Sequence, residues 1–323
     1  MEDRLKLCWA TGKNDLIGNA YGYKVHSDTL MKYVTEIADI DPDAKDAVII
    51  ASSDLYTKPM ENKTNWLFTM SEGTTLPEKL ANNIKKADHL LVPSTWAKEI
   101  LGQYYDAGNI FIVHHGVEKE FKYTKRKFPV SRPFRFLWVG APNERKGWGE
   151  IASVWKFFER QPGLELYLKT TGLKNEYESK GNVILDSRNL SQNELIKLYH
   201  SAHCFLFPTR AEGFGLVLAE AMATGLPCIA TDYSGVTDFF DDTVGYPLKY
   251  TMGDIKATYA DGTIDTTQAA FPDVTEMAAI MAWIYKNYKK ALMKGKKASE
   301  FIHKEFSWNR SAQTLVNIIG QNQ

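Results

Sequence analysis

The sequence predicts an α/β protein of two doubly wound domains, each a parallel sheet with helices on both faces. Three observations point there. Residues 202–231 read strand, loop, helix, strand without interruption. The runs 203–207 and 228–231 are short, aromatic or β-branched, and bounded by turn residues, as parallel strands covered on both faces are. The alternation of strand and helix recurs along the chain, with one break at 118–134 where charge and proline replace apolar periodicity. Finally, 323 residues are long for one core and suit two domains.

The 39 basic and 39 acidic residues cancel, so total charge gives no support to a dedicated nucleic-acid binder, although a local patch stays open. Cys8, Cys204 and Cys228 each fall in a predicted strand and should behave as small apolar groups. A disulfide framework is not expected, and a reducing cytoplasm fits. The N-terminal residues open almost directly into a strand without a leader pattern, and no apolar run approaches the ~20 residues that span a bilayer. The expectation is a soluble cytoplasmic protein, peripheral to a membrane at most.

In order, 5–11 is a strand, 12–22 a loop with Gly12, Gly18 and Gly22, and 25–37 a helix. The spacing of Gly18 and Gly22 is not the G-x-G-x-x-G of dinucleotide sites. His26 is expected to be structural. Strands follow at 48–51 and 66–70, and the polar segment 71–77 sits at a strand's C-terminal end, where open α/β sheets place ligands. Glu72 there is either an acid aimed at a substrate hydroxyl or a helix-start acid. Residues 89–93 form a strand, Ser94 is an N-cap for a helix to about 105, and 110–117 is a strand and turn. His114 and His115 have no second ligand set spaced to join them and read as hinge residues. Segment 118–134, with six Lys or Arg, two Glu and two Pro, reads as an exposed interdomain linker.

The second half opens with a strand at 136–140. Arg145 and Lys146 sit at the turn into a helix whose Trp148, Ile151, Val154, Trp155 and Phe158 recur at helical spacing. Basic groups at such a turn are placed to neutralise a diphosphate. Strands at 164–169 and 183–186 precede Arg188, and Ser191 with Glu194 forms a capping box. Helix 216–224 is apolar nearly all round except for Glu220, which must find partners: sugar or ribose hydroxyls, or an internal Arg. Glu212 lies eight positions earlier. Gly213 and Gly215 allow close approach of a ligand, and the amides near Gly215 and Leu216 suit an anion. Two carboxylates for hydroxyls and an amide nest for phosphate describe a nucleotide-sugar site. Asp238, Asp241 and Asp242 are wrongly spaced for a metal. Residues 249–270 are a polar insertion placed as a lid near the cleft, and three helices follow from 272, the middle one bearing a lysine stripe that reads as a solvated face.

Glu212-Gly213-Phe214-Gly215 followed by Glu220 resembles the glutamate-x7-glutamate signature of retaining glycosyltransferases of family four, which have the GT-B fold. The resemblance implies two Rossmann-like domains facing across a cleft: 1–117 for the acceptor, 135–305 for the nucleotide sugar, and 306–323 as a helix crossing back to the first domain. It places Glu212 beside the donor sugar, Glu220 on the ribose, and Gly213, Phe214, Gly215 and Leu216 along the donor. Lys146 matches a diphosphate contact. Ala141 stands where the family has arginine, with Arg145 as the candidate substitute. The Gly18 loop would reach the donor phosphates, and Arg188 follows the strand that ends at the base. The family's histidine after the third strand is missing, and Glu72 resembles a T-M-x-E variant. No metal and no cofactor beyond the nucleoside-diphosphate sugar are implied. The implied reaction moves a hexose or related sugar to an acceptor hydroxyl with retention. A glycan, a lipid, a small molecule, a protein side chain and a hydroxymethylated DNA base stay open as acceptors. An epimerase or hydrolase and a non-catalytic nucleotide-sugar binder are the alternatives.

Overall fold

Two parallel sheets organise the computed structural model, which describes residues 4–10, 21–127, 133–171, 173–174, 176–259 and 262–323. The first contains β1 (Lys6–Trp9), β2 (Asp39–Ile40), β3 (Asp46–Ile50), β4 (Thr64–Phe68), β5 (His89–Val92) and β6 (Ile110–Ile112), in the order β2-β1-β3-β4-β5-β6 and parallel throughout. Helices α1 (Tyr21–Val34), α2 (Glu78–Ile84) and α3 (Thr95–Leu101) connect its strands. The second contains β7 (Phe134–Val139), β8 (Leu164–Lys169), β9 (Tyr177–Lys180), β10 (Val183–Asp186), β11 (Cys204–Phe207), β12 (Cys228–Thr231) and β13 (Tyr246–Leu248). Its order is β13-β12-β11-β7-β8-β10-β9, parallel except for β9 at the edge. Helices α4 (Trp148–Trp155), α5 (Gln192–Ser201) and α6 (Leu216–Ala223) belong to this half.

The segment 249–270 is not a loose insertion. It forms a hairpin, β14 (Tyr250–Thr258) with β15 (Ile264–Pro272), paired from Tyr250↔Pro272 to Thr258↔Ile264. Ile255, Thr267, Ala269, Ala270 and Pro272 are its buried positions, and small or hydroxylic residues make up most of them. Helices α7 (Val274–Lys286), α8 (Tyr288–Glu305) and α9 (Trp308–Gln321) follow. Helix α9 leaves the second half and packs Trp308, Ala312, Leu315 and Ile319 into the core with Leu7, Trp9, Leu30 and Val48. The two chain crossings lie side by side: Val117 N donates to Phe306 O at 2.8 Å, and a Cβ on Gly116 would fall 2.0 Å from Trp308 N, so no side chain fits there.

The reading of 118–134 as an exposed linker is overturned by its buried anchors. Lys122, Lys125 and Lys127 are exposed, but Phe121 and Arg126 are buried against the second half. Arg126 donates from Nε to Ala202 O at 3.0 Å, from Nη1 to Thr224 O at 2.8 Å, and from Nη2 to Tyr199 O at 3.1 Å. These carbonyls end α5 and α6, where a cation both satisfies orphan acceptors and meets the negative ends of the helix dipoles. Nothing in the local composition distinguishes this arginine from its solvated neighbours. We expect Arg126→Ala to lower the unfolding free energy by about 2–4 kcal/mol in urea titration, because it strands several buried carbonyls at once. A change below about 0.5 kcal/mol would mean the segment is peripheral to the fold.

Candidate functional site

The loop between β11 and α6 is buried along its length and carries Glu212, which is 5% exposed. A carboxylate this deep requires cations or several donors. The turn after β7 supplies them. Lys146 Nζ lies 2.6 and 2.9 Å from the two Glu212 oxygens, and Arg145 Nη1 lies 3.2 Å from Oε1 and 3.0 Å from Ala211 O. Gly147 lets that turn come so close: its φ is +74°, and a Cβ there would fall 2.0 Å from Pro208 O. Arg210 N donates to Arg145 O at 2.7 Å, and Glu212 N donates to Ser234 Oγ at 2.9 Å, so the loop is held on both sides.

The network reaches the other half of the molecule through Arg145, whose Nη2 pairs with Glu72 Oε2 at 2.9 Å. Burial opposes the charge on Arg145, but the carboxylates of Glu72 and Glu212 outweigh it and hold the guanidinium more firmly protonated than usual. Glu72 is not a helix-start acid, because α2 begins at Glu78 with Pro77 as its N-cap. Further bonds join the halves nearby. Ser94 caps α3 by accepting from Ala97 N and also donates to Gly213 O at 2.7 Å, and Thr95 N donates to Asp238 Oδ2 at 2.8 Å. From the hairpin, Thr267 Oγ1 accepts from Thr74 N at 2.8 Å and Thr75 N at 3.2 Å, two residues beyond Glu72.

Between the halves lies a cavity of about 550 Å³. Tyr23, His26, Met70, Glu72, His115 and Trp308 wall one side, and Lys146, Leu195, Phe207, Glu212 and Glu220 the other, with Gly213, Phe214, Gly215, Leu216 and Val217 between them. Helix α6 starts at Leu216, so its first amides, beyond reach of any helical carbonyl, lie at this wall. Glu220 is pushed up to about 7 by burial; the Tyr199 hydroxyl, 3.0 Å from Oε2, draws it down and the charge of Glu118 adds to the rise. The His26 and His115 rings lie 4.1 Å apart, tilted by 50°, and burial holds both imidazoles neutral, His115 at about 3 and His26 well below its ordinary value.

Of the residues singled out by sequence, Glu72, Arg145, Lys146 and Glu212 form one network, and Gly213, Phe214, Gly215, Leu216 and Glu220 share its cavity. Arg188 sits apart: its guanidinium donates to both Asp186 oxygens at 2.9 and 2.8 Å and lies 4.8 Å over the Tyr177 ring. Leu190, Gln192 and Leu195 wall that end of the cavity instead. Gly18 lies outside the described residues. His26 and Tyr199 were not expected at the site, and only tertiary contacts bring them there; His115 was read as a hinge residue near the cleft, and 249–270, which carries Thr267, was placed beside it. Among the described residues no three His, Cys, Asp or Glu side chains are grouped to hold a metal, and no helix is long and apolar enough to cross a membrane.

Residues 171–315 match the family described as family 4 glycosyltransferases in conflict systems. The amylovoran biosynthesis glycosyltransferase AmsK of Erwinia amylovora is 27% identical over 177 residues, which cover 49% of this chain and 42% of that protein. Glycogen synthase of Mycobacterium tuberculosis is 25% identical over 164 residues, covering 47% and 39%. The matched segments thus span less than half the length of these two curated relatives. Among solved structures, Anabaena HepE in complex with UDP and glucose superposes with a TM-score of 0.74 at 11% identity, covering 98% of this chain and all of that one. The likeness makes the fold GT-B: two Rossmann-like domains facing across a cleft.

Thr267→Val should free the Thr74 and Thr75 amides. Their hydrogen exchange is expected to quicken about tenfold while global stability changes by less than about 1 kcal/mol. Unchanged exchange would remove the hairpin from the positioning of the Glu72 loop.

Proposed function

We propose that this chain is a family-four glycosyltransferase on its GT-B fold and transfers a hexose or related sugar from a nucleoside-diphosphate sugar to an acceptor hydroxyl with retention of anomeric configuration. The observation that carries the reading is the buried Glu212 carboxylate, gripped by Lys146 and Arg145 at the cavity between the domains.

The donor lies with its diphosphate against Lys146 and the first amides of α6, and with its sugar between Glu212 and Glu72. Its ribose meets Glu220, and its base lies along Leu190 and Leu195, within reach of the turn that carries Arg188. Residues 1–117 present the acceptor, 135–305 hold the donor, and 306–323 tie the two. As the glycosidic bond to the diphosphate breaks, negative charge grows on the leaving oxygen. Lys146 and the first amides of α6, which line the cavity, stabilise it, and Arg145 supports them through its bonds to Glu212 and Glu72. Before the donor arrives, Lys146 is neutralised by Glu212 alone; a diphosphate adds a second claim on the same ammonium and leaves Glu212 freer to accept a sugar hydroxyl. Glu72 orients the attacking hydroxyl. The nucleotide sugar is the sole co-substrate, with no metal and no cofactor. Ala141 contributes no cation, so the diphosphate relies on Lys146 and on an arginine shared with two carboxylates.

The acceptor is a hydroxyl compound that enters from the side of His26 and Met70. A glycan, a lipid-linked sugar, a small molecule and a hydroxymethylated DNA base all present such a group, and net neutrality does not favour the DNA. The absence of a membrane-crossing helix among the described residues suits a soluble, cytoplasmic enzyme that works on or near a membrane surface at most.

Glu212→Gln keeps the shape and removes the charge. Transfer from a donor panel is expected to fall at least about 100-fold while nucleoside-diphosphate affinity by calorimetry stays within about tenfold. Transfer at the wild-type rate would remove Glu212 from the reaction.

A further inference from the structure

Glu220 is the one ionisable side chain on α6, and among the described residues it has a single protein donor. Tyr199, in α5, is fully buried and lines no part of the cavity. Its ring is fixed by Phe121 at 5.9 Å and Phe205 at 5.8 Å, and its hydroxyl stands 3.0 Å from Glu220 Oε2 and 3.3 Å from Val217 O. A phenol has one proton to give, and the carboxylate is both the nearer and the stronger acceptor. We propose that Tyr199 is a positioning residue for the nucleotide: its hydroxyl fixes one oxygen of Glu220 and so presents the other to the cavity as an acceptor for the ribose hydroxyls. The inference rests on the donor site proposed above and names a residue that acts only through Glu220.

The groups facing Glu220 are few. Glu118 adds negative charge from the segment after β6, and its own Oε2 accepts from Tyr33 at 2.9 Å with Lys32 3.7 Å away. Cys228 stands near Tyr199 from β12 with its thiol pushed up by burial, hence neutral. Arg126 reaches the Tyr199 carbonyl rather than its hydroxyl. Helix α8 packs along α6 with Gly295, Ala298, Ser299 and Ile302, none of which titrates. Burial therefore opposes ionisation of Glu220, and the Tyr199 hydroxyl is the one nearby group that favours it. A carboxylate accepts two ribose hydroxyls; a protonated carboxyl must spend one oxygen as a donor. Nucleotide affinity should accordingly rise with pH as Glu220 loses its proton, with a midpoint near 7.

Tyr199→Phe tests this in two ways. In the ligand-free protein, the side-chain carboxyl resonance of 13C-labelled Glu220, assigned by its loss in Glu220→Gln, should titrate near 7 in the wild type and roughly one pH unit higher in the variant, since one hydrogen bond to a charged group is worth about that much. Calorimetry with UDP, GDP and ADP should then show the tightest of these bound about fivefold more weakly by the variant at pH 7, the ratio of ionised fractions, and within about twofold at pH 9. An unmoved midpoint, or an equal loss of affinity at every pH, would reduce Tyr199 to packing and overturn the proposal. If the midpoint moves but neither protein binds any of the three nucleotides, the proposal falls together with the donor site it rests on. If the wild type binds a nucleotide and the midpoint stays, only the role of Tyr199 falls.

Discussion

A single carboxylate taken out of water dictates the layout of this molecule. Glu212 is too deep to hold a charge alone, so the fold must bring cations to it. Lys146 arrives because Gly147 lets the turn after β7 press against the loop after β11, and Arg145 arrives on the same turn. Removing both cations would leave an uncompensated buried charge, which typically costs about 3–5 kcal/mol, so the two turns are locked as a pair.

The same constraint joins the domains. Arg145 has more donors than Glu212 can accept, and the next nearest carboxylate is Glu72 on the opposite sheet. Around that bridge, Ser94 bonds Gly213, Thr95 bonds Asp238, and Thr267 reaches from the hairpin to Thr74 and Thr75. Each contact is polar and small, whereas α9 and the crossing at Gly116 tie the halves through buried packing.

The strands at 164–169, 183–186 and 228–231 were legible to the residue because they lie inside the sheet, where burial keeps most of their positions apolar. What escaped lacks that signal. Strand β9 is Tyr-Glu-Ser-Lys, exposed at every position on an edge, and β2 is two residues long. The buried positions of β15 are threonine, alanine and proline rather than valine or leucine, so it reads as polar loop. Arg126 looked like its solvated neighbours because the carbonyls it satisfies end helices more than 70 residues away in sequence. At the site, the spacing of Glu212 and Glu220 was visible, but their partners were not. Lys146 lies 66 positions from Glu212, Glu72 belongs to the other domain, and Tyr199 carried only the mark of a core residue.

The most direct measurement is a crystal structure of the protein with a nucleoside-diphosphate sugar bound. The expected density has the sugar between Glu212 and Glu72, the diphosphate on Lys146 and the first amides of α6, and the ribose hydroxyls on Glu220. A donor bound elsewhere, with the Glu72, Arg145, Glu212 and Lys146 network intact and Glu220 still facing an empty cavity, would show that these buried charges serve the fold alone.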